Sequence, residues 1–340
     1  MFRSILFLLL APMVATAAPT PFQFPTENRH LLTGEPEKFY MYVDRTFEGK
    51  RSTPWQGGAW GLVRTPIRVG EKIHYMRFHE GIDISPIKRD KAGNPLDLIM
   101  SVADGTVVHV SDVSGRSNYG RYIVVAHPIN PAGDLVHSLY AHLAKCSVKR
   151  GDRVKKGSVL GQMGYTGRGL NRTRAHLHLE IGLMMSNNFE GWFKRYSGGT
   201  NYHANYNGMN LIGIDVPRFL LEQNKNPSLD ITDFIRKSPA YFKVTVPRKG
   251  AFEFAKRHPW LVYGDLSTSS PSWEISFTAM GLPTGIAVSQ RKVSAPIVSA
   301  VQKSGEPHRY MTRGLLSGEG TSASLSTNGK KLVALITGDF

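Results

Sequence analysis

Two short stretches hold the residues best suited to chemistry. In Arg174-Ala-His-Leu-His-Leu-Glu180, His176 and His178 alternate with Leu177 and Leu179. On a β-strand alternate side chains share a face, so both imidazoles point one way and both leucines enter a core. The second stretch, Phe78-His-Glu-Gly-Ile-Asp83, adds His79 and Asp83 around Gly81. Two histidines and one carboxylate make the ligand set of an open, catalytic zinc site. His79, Asp83 and one of the His176/His178 pair supply that set. The other histidine and His142, from Leu139-Tyr-Ala-His-Leu143, are then suited to proton transfer or oxyanion stabilisation, since neutral imidazole serves both roles near pH 7.

Neighbouring groups are read against that set. Glu80 follows His79, as in H-E-x-x-H zincins, but no second histidine stands four residues after His79 and an extended backbone turns Glu80 away. Glu180 shares the face of His176 and His178 and is placed to orient an imidazole behind the metal, with a strand-end salt bridge as the alternative. His74, His109, His127, His137 and His203 lack such context and are read as solvent-facing or core-edge residues.

The elements that must position these groups are mostly strands. From Gly58 to Met185 short β-branched runs are separated by Gly and Asp turns. Residues 99–103 and 106–110 flank Asp104-Gly105, a hairpin signal. Residues 121–126 form a strand whose antiparallel partner is 136–143, and 159–161 form another. Residues 18–55 are an extended lead-in, and its segment 28–42 is a candidate cover for the cleft. Residues 215–223 and 230–237 are short helices, each opened by an Asp at its N-cap. From Tyr241 the pattern is β again, with Asn328-Gly329 as a hairpin turn between 322–327 and 330–336.

Met1-Phe-Arg3 is short and positive, Ser4–Val14 is apolar and Ala15-Thr-Ala17 is a small-residue cleavage site, the order of a secretory signal peptide. No other window reads as a membrane span. The chain has 340 residues and a formal net charge of +16. Such a charge attracts a polyanion. After export the available polyanions are cell-wall polymers and lipid headgroups, so nucleic acid is excluded as the partner. The one cysteine, Cys146, has no intramolecular partner and reads as a small buried hydrophobe.

The segment from about Phe78 to Ile181 resembles the lysostaphin/LytM-type zinc peptidases of family M23. The matching pieces are His79-Glu-Gly-Ile-Asp83, Ala103-Asp-Gly-Thr-Val107, Asn118-Tyr-Gly120, Tyr140-Ala-His-Leu143, Val148-Lys-Arg-Gly-Asp-Arg-Val154, Gly157, Gly164-Tyr-Thr-Gly167 and His176-Leu-His-Leu-Glu180, in the family's order. The resemblance covers about a third of the chain. It implies a compact antiparallel β domain in which His79, Asp83 and His178 bind Zn2+, His142 and His176 are the catalytic pair, and Tyr119 lines the substrate groove. Two departures bear on substrate choice. Lys88–Asn94 is inserted beside the metal site, and Arg168, Arg172 and Arg174 stand where the family has small residues and a proline. Arg174 is the candidate groove residue among them.

The expected fold is mainly β: an M23-type peptidase domain over 56–186, a turn-rich helical connector over 187–240, and a small C-terminal β module over 241–340. The expected function is an exported zinc endopeptidase acting on peptide bonds of peptidoglycan, in the periplasm or cell envelope or secreted. The alternative from a different class is a non-hydrolytic wall-binding module that regulates another cell-wall hydrolase. A carrier-type hairpin over Gly151–Leu160 is disfavoured, because no lysine sits at a hairpin tip in the context for modification.

Overall fold

The computed structural model describes residues 21–42, 46–51, 57–265 and 267–340. The expected signal peptide lies outside the described residues, as do parts of the lead-in. The first helix, α1 (Pro36–Phe39), is a single turn. Strands β1 (Thr46–Phe47) and β2 (Lys50–Arg51) form a small hairpin, and β3 (Gly61–Val69) and β4 (Lys72–His79) form a long one. Then come β5 (Ile82–Ile84), β6 (Leu98–Met100), β7 (Gly105–Ser111), β8 (Tyr122–Pro128), β9 (Leu135–Ala141), β10 (Leu143–Cys146), β11 (Arg153–Val154), β12 (Val159–Met163), β13 (Leu177–Met184) and, after α2 (Phe189–Tyr196), β14 (Leu211–Gly213).

The main sheet runs β11-β7-β8-β9-β13-β14, with β5 paired to β13, and its pairings are antiparallel. A smaller sheet, β10-β12-β6, packs with it. Ile82, Ile84, Ile99, Ile123, Val125, Tyr140, Leu143, Leu160, Leu177 and Leu179 are buried in the core cluster that the two sheets share. The partner expected for the 121–126 strand is the one found. Residues 99–103 and 106–110 are not a hairpin. β6 pairs with β12 while β7 pairs with β8 and β11, so the chain changes sheet at Asp104. The Asp104 carboxylate instead accepts from the Lys156 amide at 2.8 Å and from Lys155 Nζ at 2.9 Å.

The lead-in is packed rather than loose. Phe22, Phe24 and Phe39 are buried, Gln23 N donates to Val102 O, and Tyr40 bridges to Ile84. Of segment 28–42, only Met41 lines the cleft.

Helices α3 (Val216–Lys225) and α4 (Ile231–Lys237) start where the Asp caps place them. Asp215 accepts from Arg218 N at 3.1 Å and Asp230 from Thr232 N at 2.6 Å. Beyond them, β15 (Phe242–Pro247), α5 (Glu253–Arg257), β16 (Val262–Tyr263), β17 (Ser272–Phe277), β18 (Pro283–Ser289) and β19 (Ile297–Val301) build a sheet of order β16-β18-β17-β15-β19, in which only β16–β18 is parallel. α6 (His308–Met311), β20 (Leu316–Ser317), β21 (Ser324–Leu325) and α7 (Thr327–Thr337) follow.

The expected hairpin at Asn328-Gly329 is the first turn of α7. Ser326 caps this helix by accepting from Gly329 N at 3.1 Å, and Gly338 ends it in the left-handed region at φ 73°. Leu332, Val333, Leu335 and Ile336 bury along it. Gly329 is small for a tertiary reason: a Cβ there would stand 2.2 Å from Leu315 O. The histidine expectation also fails in part. His127, His137 and His203 are buried, because aromatic and β-rich neighbours cover them: His127 packs on Phe22, and His137 lies near Tyr206.

Candidate active site

Register brings the separate stretches together. In the β5–β13 pair, His178 stands directly opposite Asp83, and on the other side of β13 it faces Ala141, the residue before His142. His79 ends β4 four residues before Asp83, on the same side as His178. The backbone at His142 is left-handed, with φ 64°. That conformation is uncommon for a side chain with a Cβ. It is held by His142 N donating to Tyr119 O at 2.9 Å. His176 bridges to Gly164, with its amide donating to Gly164 O at 3.2 Å.

Hydrogen bonds assign the ring tautomers. A carbonyl oxygen can only accept, so the ring nitrogen facing it carries the proton. Nδ1 of His79 donates to Ala59 O at 2.8 Å, Nδ1 of His142 to Thr166 O at 2.9 Å, and Nδ1 of His176 to Arg174 O at 2.7 Å. The Nε2 lone pair of each ring is therefore available to the cleft. Burial lowers the pKa of both His142 and His176, so both rings are neutral at physiological pH. Their centroids are 4.6 Å apart.

His178 is different. Its Nδ1 faces Asp83 Oδ1 at 2.9 Å and its Nε2 faces Glu180 Oε1 at 3.0 Å. Burial alone would lower this ring, but the two carboxylates outweigh it and raise the pKa to about 10. Glu180 Oε1 also accepts from the Tyr119 hydroxyl at 2.5 Å. Burial and Glu180 together raise the Tyr119 phenol well above its usual value, so it stays a donor. Arg64 Nη2 donates to Asp83 Oδ2 at 2.5 Å, which leaves Oδ1 turned toward the histidines. Asp83 is held well below the usual carboxylate range: burial opposes ionisation, and His79, His176 and His178 overcome it.

These donors fit a tetrahedral metal. His79 Nε2, Asp83 Oδ1 and His178 Nδ1 lie 3.1, 2.9 and 3.1 Å from one another. Zinc bonds of about 2.0–2.2 Å at tetrahedral angles require ligand separations of about 3.3 Å. The set is borderline N/O chemistry, and all three residues line the cleft. His176 Nε2 stands farther from Asp83 Oδ1, at 3.4 Å.

The cleft has a volume of about 760 Å³ and contains His79, Asp83, His142, His176 and His178. Tyr119 and Arg174, the expected groove residues, line it as well, and Arg174 Nη1 is tied to Gly169 O at 2.7 Å. Glu80 is not turned away: it lines the cleft, and Glu80, His178 and Glu180 form a second close group. Glu80 lies beside His178; burial opposes its ionisation, but attraction to its cationic surroundings outweighs this and lowers its pKa.

Sequence reasoning missed Arg64, Arg313 and the Asn207–Met209 loop, all of which line the cleft. Gly208 lies against Tyr119 so closely that a Cβ would be 1.9 Å from the phenol oxygen. The nearest signal was the unassigned, Arg-rich stretch between Gly61 and Arg77. No periodic pattern announces the other two.

Residues 77–189 match the model of peptidase family M23. The chain is 36% identical over 106 residues to an uncharacterized metalloprotease of Haemophilus influenzae, covering 31% of this chain and 19% of that one. It is 34% identical over 153 residues to the peptidoglycan DD-endopeptidase ShyA of Vibrio cholerae, covering 42% and 31%. It is 30% identical over 152 residues to the glycyl-glycine endopeptidase ALE-1 of Staphylococcus capitis, covering 44% and 35%. The matched region spans about a third or less of the length of these relatives. The ordered pieces of sequence and the donor cluster His79, Asp83 and His178 all lie inside the span, residues 77–189, that matches the peptidase family M23 model.

Proposed function

We propose that the protein is an exported zinc endopeptidase that hydrolyses peptide bonds in peptidoglycan. One observation carries the reading: three ligand atoms 2.9–3.1 Å apart, beside two neutral imidazoles, inside an open cleft. His79, Asp83 and His178 would hold the ion. Zinc supplies Lewis acidity toward the scissile carbonyl and lowers the pKa of a water molecule to about 7.

The chain's own residues do the rest. Arg64 orients the Asp83 carboxylate, and Glu180 holds His178 Nε2–H so that Nδ1 faces the ion. His142 and His176 present unprotonated Nε2 atoms, so either can take the proton of the attacking water and return it to the leaving amine. The imidazolium formed in that transfer lies where it can stabilise oxyanion charge. Their depressed pKa values keep both in the base form at neutral pH. The net charge of +16 favours an anionic wall. The relatives named as a peptidoglycan DD-endopeptidase and a glycyl-glycine endopeptidase support the substrate class. In this reading residues 1–17 are removed on export, 56–186 form the catalytic unit, 187–240 the connector, and 241–340 a module packed beside it.

The test is mass spectrometry of soluble products from purified sacculi treated with the zinc-loaded protein and with His178→Ala. Cleaved cross-links released by the wild type alone are the expected result. No release by a folded protein with stoichiometric zinc would overturn the reading and favour a regulatory wall-binding role.

A further inference from the structure

We propose that the cleft selects a peptide bearing a free carboxylate beside the scissile bond, and that Arg313, together with Arg174, receives that carboxylate. The proposal rests on the peptidase reading above and narrows its substrate class.

Five arginines line the cleft, Arg64, Arg77, Arg168, Arg174 and Arg313, against two carboxylates, Glu80 and Asp83. The carboxylates offset only part of this charge: Asp83 is paired with Arg64, and Glu80 acts through space on Arg64 and Arg313, so the guanidiniums stay in excess. Such a wall attracts a carboxylate more strongly than a neutral peptide group.

Two of the arginines carry orphaned donors. Nε of Arg174 and Nε of Arg313 are both buried without an acceptor. Buried N–H groups are normally paired, so these two donors mark guanidiniums whose hydrogen bonding the surrounding protein leaves incomplete. Arg313 is fixed in place: its guanidinium lies over the Phe78 ring at 5.3 Å, one residue from His79. Burial lowers its pKa to about 10, with Glu80 acting through space in the opposite direction. It is thus desolvated yet still charged at neutral pH. Arg174 precedes the His176 strand segment and is anchored by Nη1 to Gly169 O. A guanidinium presents paired N–H groups that match the two oxygens of a carboxylate, a geometry that lysine lacks.

Arg313 lies outside the family match of residues 77–189. The C-terminal region therefore completes the cleft and contributes to its specificity. Arg313 reaches the site because α6, two residues before it, packs against β4, with Tyr310 stacked on His74.

The experiment uses two synthetic cross-linked peptides, identical except that the residue beside the scissile bond carries a free carboxylate in one and a carboxamide in the other. Steady-state cleavage by the zinc-loaded full chain is measured, with binding followed by fluorescence anisotropy on zinc-loaded His176→Ala. The wild type is expected to favour the free acid by roughly tenfold to a hundredfold in kcat/KM, the range for a hydrogen bond to a charged group. Arg313→Met and Arg174→Met should each reduce that preference, read as the ratio of the two peptides' kcat/KM within each variant. Arg313→Lys, which keeps the charge but not the paired N–H geometry, should reduce it in part. Equal cleavage of the two peptides by the wild type overturns the proposal and leaves the peptidase reading standing. A preference that survives both methionine variants also overturns it. If neither peptide is cut, the peptidase reading fails, and equal anisotropy binding of the two peptides then overturns the carboxylate proposal separately.

Discussion

Glu180 offers the most direct test of how the proposed metal site is supported. It is 2% exposed, and its Oε1 accepts both from His178 Nε2 at 3.0 Å and from the Tyr119 hydroxyl at 2.5 Å. Glu180→Ala removes the group that fixes the tautomer and rotation of His178. Loss of such a partner behind a ligating imidazole weakens metal affinity roughly 10- to 100-fold, which is about 1.4–2.8 kcal/mol. The variant also deletes a cost. Oε2 of Glu180 is buried without a partner, and burial, with Glu80 nearby, raises the pKa of this carboxyl. The metal-free fold should therefore lose less stability than the metal site loses affinity. Glu180→Gln keeps an acceptor oxygen and should fall near the lower end of the range. The assay is zinc competition against a chromophoric chelator at fixed pH, paired with thermal unfolding of the metal-free proteins. A folded Glu180→Ala whose zinc Kd stays within twofold of wild type would refute the reasoning.

His142→Ala and His176→Ala should each lower kcat by roughly 10²- to 10⁴-fold while zinc stoichiometry stays at one. Loss of zinc from either variant would make that residue a ligand instead. Acid should destabilise the metal-free protein in a defined window. Burial holds His127 at about 4, His137 at about 3 and His258 at about 3, all below their unfolded value. The unfolded chain then binds more protons, so stability is present above about pH 6.5 and falls toward pH 4, by on the order of 1 kcal/mol per histidine per unit. The raised His178 changes stability only above pH 6.5 and the lowered Asp83 only below the usual carboxylate range, while the raised Glu180 opposes the histidines and is removed by measuring the profile in Glu180→Gln as well. Urea unfolding across pH 7.5 to 4.5 measures it, and a flat profile would contradict the assignment of these rings as neutral.

Some of this was legible because it obeys short-range periods. The alternation in 176–180 placed His176, His178 and Glu180 on one face; β13 carries His178 and Glu180, which hydrogen-bond each other, and His176 stands just before the strand, bridged to Gly164. The caps Asp215 and Asp230 announced their helices for a local reason, a carboxylate beside free amides. Local signals misled where tertiary contact overrode them. Asn328-Gly329 carries a turn signature, yet the apolar residues after it bury as a helix and Gly329 is small to admit Leu315 O. Asp104-Gly105 turns the chain, but into a different sheet.

The sequence by itself determined the donor types, their faces on the strands and the mainly β texture, because each depends on a residue and its near neighbours. The tertiary structure decided the rest. The β5–β13 register set His178 rather than His176 opposite Asp83, at 2.9 Å. The folding of the β3–β4 hairpin onto the site delivered Arg64, and the packing of the C-terminal region delivered Arg313. Arg64 lies 19 residues from Asp83, and Arg313 comes from the far end of the chain. No helical or strand period spans such separations, so only the packed fold could bring these charges to the cleft.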